Sequence, residues 1–138
     1  MGSASEVVVT LTVVGKKVVI PPDDEWVQLY WVKGPDTVRW SFAQAPAAAV
    51  RAEVVFPQEL PPKYRRIGGF IPGGPFSGTH EEPPSHGSHL KDIVTSGNAK
   101  KKGFFVYDVL VYGGDGEVIA RADPGGSNDD GPPSSPVP

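Results

Sequence analysis

The sequence predicts an all-β domain: an antiparallel β-sandwich with Greek-key links and seven or eight strands. Three observations carry this. The stretch Gly103-Phe104-Phe105-Val106-Tyr107-Asp108-Val109-Leu110-Val111-Tyr112 is rich in aromatic and β-branched residues and is closed by the turn cluster Gly113-Gly114-Asp115-Gly116. In the stretch from Asp36 to Phe42, Val38, Trp40 and Phe42 alternate with Thr37, Arg39 and Ser41, the period-2 pattern of a half-buried strand. No segment has the length and period of a long helix, which leaves sheet-on-sheet packing as the architecture.

The elements follow in order. Glu6 to Val14 reads as the first strand, with Val9, Leu11 and Val13 on its core face. Gly15-Lys16 then makes a two-residue hairpin turn, because glycine at its first central position permits positive φ. Lys17 to Ile20 returns, and Pro21-Pro22-Asp23-Asp24 breaks the strand. Trp26 to Val32 follows with Val27, Leu29 and Trp31 inward, since the opposite choice buries Gln28. If the other face is open, Trp26 and Tyr30 form an exposed aromatic patch. Lys33 to Asp36 turns into the Trp40 strand, whose natural partner is the 103–112 strand, placed at the centre and covered on both faces. Val50 to Phe56 alternates with Val50, Ala52, Val54 and Phe56 inward. Glu117 to Ala122 closes the core across a hairpin.

Two regions have a different composition. Residues 57–102 form a long insert dense in glycine and proline, in which only Asp92 to Thr95 reads as a strand. A loop of this length in a small domain is functional or disordered. Phe70, Ile71 and Phe76 place its first part against something, while Glu81 to Ser88 has little to bury. Residues 125–138 have the Gly/Pro/Ser/Asp composition of a disordered tail. The expected organisation is a flexible start at 1–5, a sandwich over 6–124 containing the insert, and the tail.

The chain has 138 residues, a net charge of -3 and no cysteine. That length gives one domain with a real core. The charge argues against nucleic acid as the main partner. The lack of cysteine excludes disulfides and thiolate metal sites, and with no signal-peptide pattern at the start it fits the cytoplasm. No apolar run approaches the roughly 20 residues of a membrane span.

Val32 to Phe42 and Gly103 to Val109 together resemble cupredoxin-like domains. The first is similar to their turn leading into an aromatic strand. The second is similar to their last core strand, in which aromatics at alternate positions precede the copper-ligand cysteine. The resemblance is closest to small bacterial proteins of this type that have lost the copper site. It implies a fold rather than an activity. The cysteine position here is Val109 and the only methionine is Met1. The cysteine and axial methionine that a blue-copper centre uses beside two histidines are therefore not available. No cofactor is expected.

The remaining candidates lie in the insert. His80, His86 and His89 stand near Glu81, Glu82 and Asp92, a ligand set that suits zinc or nickel but lacks a rigid frame in this setting. Ser85 and Ser88 beside them suggest a nucleophile, but no elbow motif is present. The glycines of Ile67 to Gly74 precede no Lys-Ser/Thr, so they read as turn residues rather than a phosphate cradle. Lys63-Tyr64-Arg65-Arg66 and Lys100-Lys101-Lys102 are basic clusters at the two ends of the insert. The expectation is a non-enzymatic adaptor that binds a partner protein through the insert. Tyr64, Phe70 and Phe76 are its anchors and Lys63, Arg65 and Arg66 its charged rim. The alternative is a metal-binding protein or metal-dependent enzyme built on the three histidines.

Overall fold

The computed structural model describes residues 6–30, 35–64, 68–98 and 101–129. Trp31 to Gly34, Arg65 to Ile67, Ala99, Lys100, the expected flexible start and residues 130–138 lie outside that set. The chain is predominantly β, with strands β1 (Glu6–Val14), β2 (Lys17–Val19), β3 (Trp26–Tyr30), β4 (Thr37–Gln44), β5 (Arg51–Val55) and β6 (Gly78–Glu82). These are followed by β7 (Asp92–Ser96), β8 (Gly103–Val106), β9 (Asp108–Tyr112), β10 (Val118–Ala122) and β11 (Gly125–Asp129). The only helical pieces among the described residues are short 3-10 turns at Pro22–Asp24 and Pro62–Tyr64.

The strands form an eight-stranded sheet in the order β5-β9-β10-β2-β1-β4-β7-β6 and a three-stranded sheet in the order β3-β11-β8. Both sheets are mixed, not antiparallel as expected. β1 and β2 form the predicted hairpin, with Gly15 at φ 59. The chain then visits the small sheet as β3 before returning as β4, parallel to β1. A crossover of this kind delivers a parallel neighbour where a hairpin cannot. The large sheet curls until β5 approaches β7, so that it is nearly closed on itself.

The core faces follow the alternation. Val9, Leu11 and Val13 of β1, Val27 and Leu29 of β3, Val38, Trp40 and Phe42 of β4, and Ala52 and Val54 of β5 are all buried. Val50 is the exception. It precedes β5, donates its N–H to the Tyr112 carbonyl and is exposed.

The 103–112 stretch is not one central strand. It divides at Tyr107, with β8 in the small sheet and β9 in the large one, between β5 and β10. Tyr107 spans the corner and donates its N–H to Pro124. Its expected partner β4 pairs instead with β1 and β7. The two stretches meet through side chains: Trp40 Nε1 donates to the Tyr107 hydroxyl at 3.1 Å, with ring centroids 4.9 Å apart.

Residues 125–129 are not part of a tail. They form β11, the middle strand of the small sheet, parallel to β3 and antiparallel to β8. Glycine makes this possible by leaving room for rings. A Cβ on Gly125 would meet the Trp26 ring at 2.8 Å, and one on Gly126 would meet the Phe105 ring at 2.6 Å. The composition that reads as disorder is here a condition of packing. Gly126→Val is therefore expected to cost about 3 kcal/mol through overpacking. Chemical denaturation checks this; a midpoint equal to the parent's would refute the seating of β11.

The insert likewise contains more strand than its composition suggests. β6 and β7 pair antiparallel from Gly78↔Ser96 to Glu82↔Asp92 and extend the large sheet beyond β4.

Candidate functional site

The outer face of the small sheet carries the aromatic surface. Alternation along β3 points Val27 and Leu29 into the core and leaves Trp26, 40 % exposed, on the outside. On β11, Ser127 shares this face and its Oγ accepts from Trp26 Nε1 at 2.8 Å. Phe104 of β8, in register with Ser127, provides the floor. The insert then lies along β8. Phe104 donates its N–H to Gly69, Ile71 donates its N–H to Phe104, and Phe70 bridges to Phe104 in parallel register. Gly69 and Gly103 allow this approach, because a Cβ on Gly103 would run into the Gly69 carbonyl.

Tyr64 arrives through the 3-10 turn at Pro62–Tyr64, its N–H bonded to Pro61. Four rings from three parts of the chain converge. Tyr64 lies 5.8 Å and Phe70 5.6 Å from Phe104, while Trp26 lies 6.2 Å from Phe104 and 6.3 Å from Tyr64. Such aromatic pairs add stabilisation beyond their burial.

Two depressions flank the rings. One, of about 460 Å³, is lined by Trp26, Phe104, Ser127, Gly68, Gly69 and Gly103, with Lys102 beside them. The other, of about 300 Å³, lies between Tyr64 and Lys63 on one side and Ile20, Glu25 and Pro124 on the other. Lys63 Nζ is 3.2 Å from Asp123 and 5.2 Å from the Tyr64 ring centroid. Partial burial alone would lower the Lys63 pKa, but Asp123 and Tyr64 hold it above its ordinary value.

The anchors expected from sequence are thus divided. Tyr64 and Phe70 join the surface cluster. Phe76 turns to the other side and packs on Phe56 and Phe105, each 5.5 Å away, against the main core. Arg65 and Arg66 lie outside the described residues. Phe104 is the member that sequence reasoning did not assign to the surface, because its strand reads as covered on both faces. Its parity with Ser127 across β11 is the signal that places it.

The three histidines go to three different places. His80 Nε2 is 2.9 Å from Glu82 and its Nδ1 is 3.0 Å from Ser96 Oγ. His86 Nδ1 meets the hydroxyls of Ser41 at 2.5 Å and Ser85 at 3.2 Å. His89 Nε2 donates to the Ala49 carbonyl at 2.6 Å. Among the described residues no three His, Cys, Asp or Glu side chains are grouped as a metal site requires.

Ser85 lies between the buried carboxylate of Asp92 and His86. Its Oγ donates to Asp92 Oδ2 at 2.6 Å. The order is Asp–Ser–His, whereas nucleophilic activation needs the imidazole between carboxylate and hydroxyl. Here the carboxylate holds the hydroxyl, and the imidazole contacts the hydroxyls of Ser85 and Ser41 rather than the carboxylate.

Asp92 belongs to a larger network. Arg39, on the outer face of β4, reaches Glu6 at 3.1 Å, Glu82 at 2.6 Å and Asp92 at 2.9 Å. It thereby ties β1, β6 and β7 to β4. The 83–91 hairpin loop lies on this polar face, with Ser88 buried and its N–H donated to the Phe42 carbonyl. Glu81 to Ser88 has little apolar surface, as its composition implies, but it is fastened by polar contacts. Compared with protein-family models, curated proteins and solved structures, the chain matches none of them.

Proposed function

We propose that the chain is a non-enzymatic interaction module on a cupredoxin-like scaffold without copper, acting as an adaptor that binds a partner protein through its insert. The observation that carries this reading is the cluster of Trp26, Tyr64, Phe70 and Phe104 on the outer face of the small sheet, with Trp26 open to solvent. Aromatic rings beside lysines and shallow depressions are what protein interfaces use as anchors. The scaffold part of the proposal rests on the resemblance of 32–42 and 103–109, with Val109 fully buried where a copper ligand would stand. A cytoplasmic setting suits a cysteine-free adaptor of this kind. Among the described residues no helix is long and apolar enough to cross a membrane.

In the test, partners captured by the parent chain are compared with those captured by two variants. Trp26→Ala/Tyr64→Ala is expected to lose the partner while its thermal transition remains cooperative. His80→Ala/His86→Ala/His89→Ala is expected to keep it. Retention by the aromatic variant together with loss by the histidine variant would replace this reading with the histidine-based one.

A further inference from the structure

We infer that the depression between Tyr64 and Glu25 is the seat for an arginine side chain of the partner protein. The inference rests on the reading of the aromatic face as a protein-binding surface, and it names the group that surface takes at its Tyr64 end.

The seat is built where the small sheet begins. The 3-10 turn at Pro22–Asp24 is closed by Glu25, whose N–H bonds to the Pro22 carbonyl at 3.4 Å. The Glu25 carbonyl accepts the Gly125 N–H at 3.5 Å, which fixes it beside the start of β11. Asp123 and Pro124 stand just before that strand. Lys63 and Tyr64 approach from the insert. The resulting depression, of about 300 Å³, has apolar walls at Ile20, Ala122 and Pro124, the Tyr64 ring, and the charged groups of Glu25, Asp123 and Lys63.

Its chemistry is that of a cation site, and the chain's own lysine shows this. The Lys63 ammonium lies 3.2 Å from Asp123 and 5.2 Å from the Tyr64 ring centroid. A ring face and a carboxylate are the groups that hold an ammonium or a guanidinium. Lys63 does not exhaust the seat. Among the described residues the exposed Glu25 side chain makes no hydrogen bond or ion pair, so a single ammonium faces carboxylates on both sides of the depression. Asp108 adds to the excess. Burial raises its carboxyl pKa; Arg121, 3.8 Å away, opposes the rise, Asp123 adds to it and Lys63 opposes it. A further cation is complementary to this charge distribution.

Arginine suits the seat better than lysine. Its planar guanidinium stacks on a ring and bonds a carboxylate with two parallel donors, which an ammonium cannot do. The Lys63–Asp123 pair is more than half exposed on both sides, and pairs of that kind are weak. An incoming guanidinium therefore takes Glu25 directly and exchanges readily with Lys63 at Asp123. Tyr64 also borders Trp26, with ring centroids 6.3 Å apart. An arginine seated here places the partner's neighbouring residues over the exposed indole.

The test titrates the full chain with the peptide acetyl-Ala-Arg-Ala-amide and with the same peptide carrying citrulline, the neutral isostere of arginine. The readout is the set of Tyr64 ring resonances, assigned by their loss in Tyr64→Leu, at low ionic strength. The arginine peptide is expected to shift them saturably, and the citrulline peptide to bind at least about tenfold more weakly, because it lacks the charge. Lys63→Met is expected to tighten arginine binding about threefold or more, since it removes the competing ammonium. Glu25→Gln/Asp123→Asn is expected to abolish saturation while the thermal transition stays cooperative. Equal responses to the two peptides, or saturation retained in Glu25→Gln/Asp123→Asn, overturns the proposal. Weaker binding in a cooperatively folded Lys63→Met also overturns it, because the ammonium would then be a contact and not a competitor. A saturable response to acetyl-Ala-Asp-Ala-amide at the same resonances overturns it in favour of an acidic partner. Partner capture that depends on Trp26 and Tyr64 can stand beside each of these failures, so they are distinguishable from failure of the adaptor reading.

Discussion

Trp40→Ala is expected to destabilise the domain by about 3–5 kcal/mol, the range for truncating a fully buried tryptophan. Trp40 has no exposed surface and lies where the two sheets meet. Its ring packs on Tyr107 and on Phe56, 6.3 Å away, and its indole N–H is satisfied by the Tyr107 hydroxyl. Truncation removes the largest side chain of the core and leaves that hydroxyl without its donor. Burial raises the Tyr107 pKa well above that of a free phenol, while the indole N–H opposes the rise. The hydroxyl therefore remains neutral and must be partnered. Tyr107→Phe is the complementary change. It keeps the ring and removes only the acceptor, so about 1–2 kcal/mol is expected. Denaturant melts of the two variants check this. Equal losses would mean that the hydrogen bond, not the ring volume, holds the corner between the sheets.

The sequence carried this part of the molecule well. Alternation identified Val38, Trp40 and Phe42 as one face, the corresponding faces of β1 and β3, and Ala52, Val54 and Phe56, though not Val50. Pairing was not legible. A largely apolar ten-residue run looks the same whether it stays in one sheet or changes sheets at Tyr107, because apolar residues occupy both parities in both halves. Only β8 is buried on both faces, whereas β9 alternates. β11 was concealed by composition: Gly125 and Gly126 lack side chains because the Trp26 and Phe105 rings occupy their space. β6 was concealed for a related reason. Its residues Gly78 to Glu82 carry no apolar face, and the strand sits at the sheet edge on backbone hydrogen bonds and the polar contacts of His80 and Glu82. Of the candidate surface, the aromatic residues of the insert could be named. Which of them turn outward depended on which side of β8 the chain passes, and only Tyr64 and Phe70 pass on the outer one. The clustering of serines and histidines was visible, but the order Asp92–Ser85–His86 was not.

Asp92→Ala is the second change expected to have a large effect, about 3–5 kcal/mol, because it removes one partner of a buried charge network. Asp92 has no exposed surface. Its carboxylate accepts from Arg39, from the Ser85 hydroxyl and from the Ser85 N–H at 3.2 Å. Without it, the Ser85 hydroxyl and N–H both lose their carboxylate acceptor, and the 83–91 loop loses a main hold on the sheet. Burial alone would push the Asp92 pKa up. The Ser85 hydroxyl, Arg39, the Ser85 N–H and, more weakly, Ser41 together bring it below the ordinary aspartate value. The sign follows directly. A carboxyl with a depressed folded-state pKa binds fewer protons folded than unfolded, so its stabilisation is complete above the ordinary aspartate pKa near 3.8. It is lost as pH falls through the lower folded value. Glu82 has the same direction, set first by His80 and then by Arg39, so its contribution is lost in the same acidic window. Stability measured from pH 7 to pH 2 should therefore fall more steeply for the parent chain than for Asp92→Ala, and the gap between them should narrow at the acid end. Arg39→Met tests the same network from the cation side. It leaves Glu6, Glu82 and Asp92 without their shared partner, so it should raise the pH at which acid unfolding begins. An acid transition unchanged in both variants would show that the network does not hold β6 and β7 to β4.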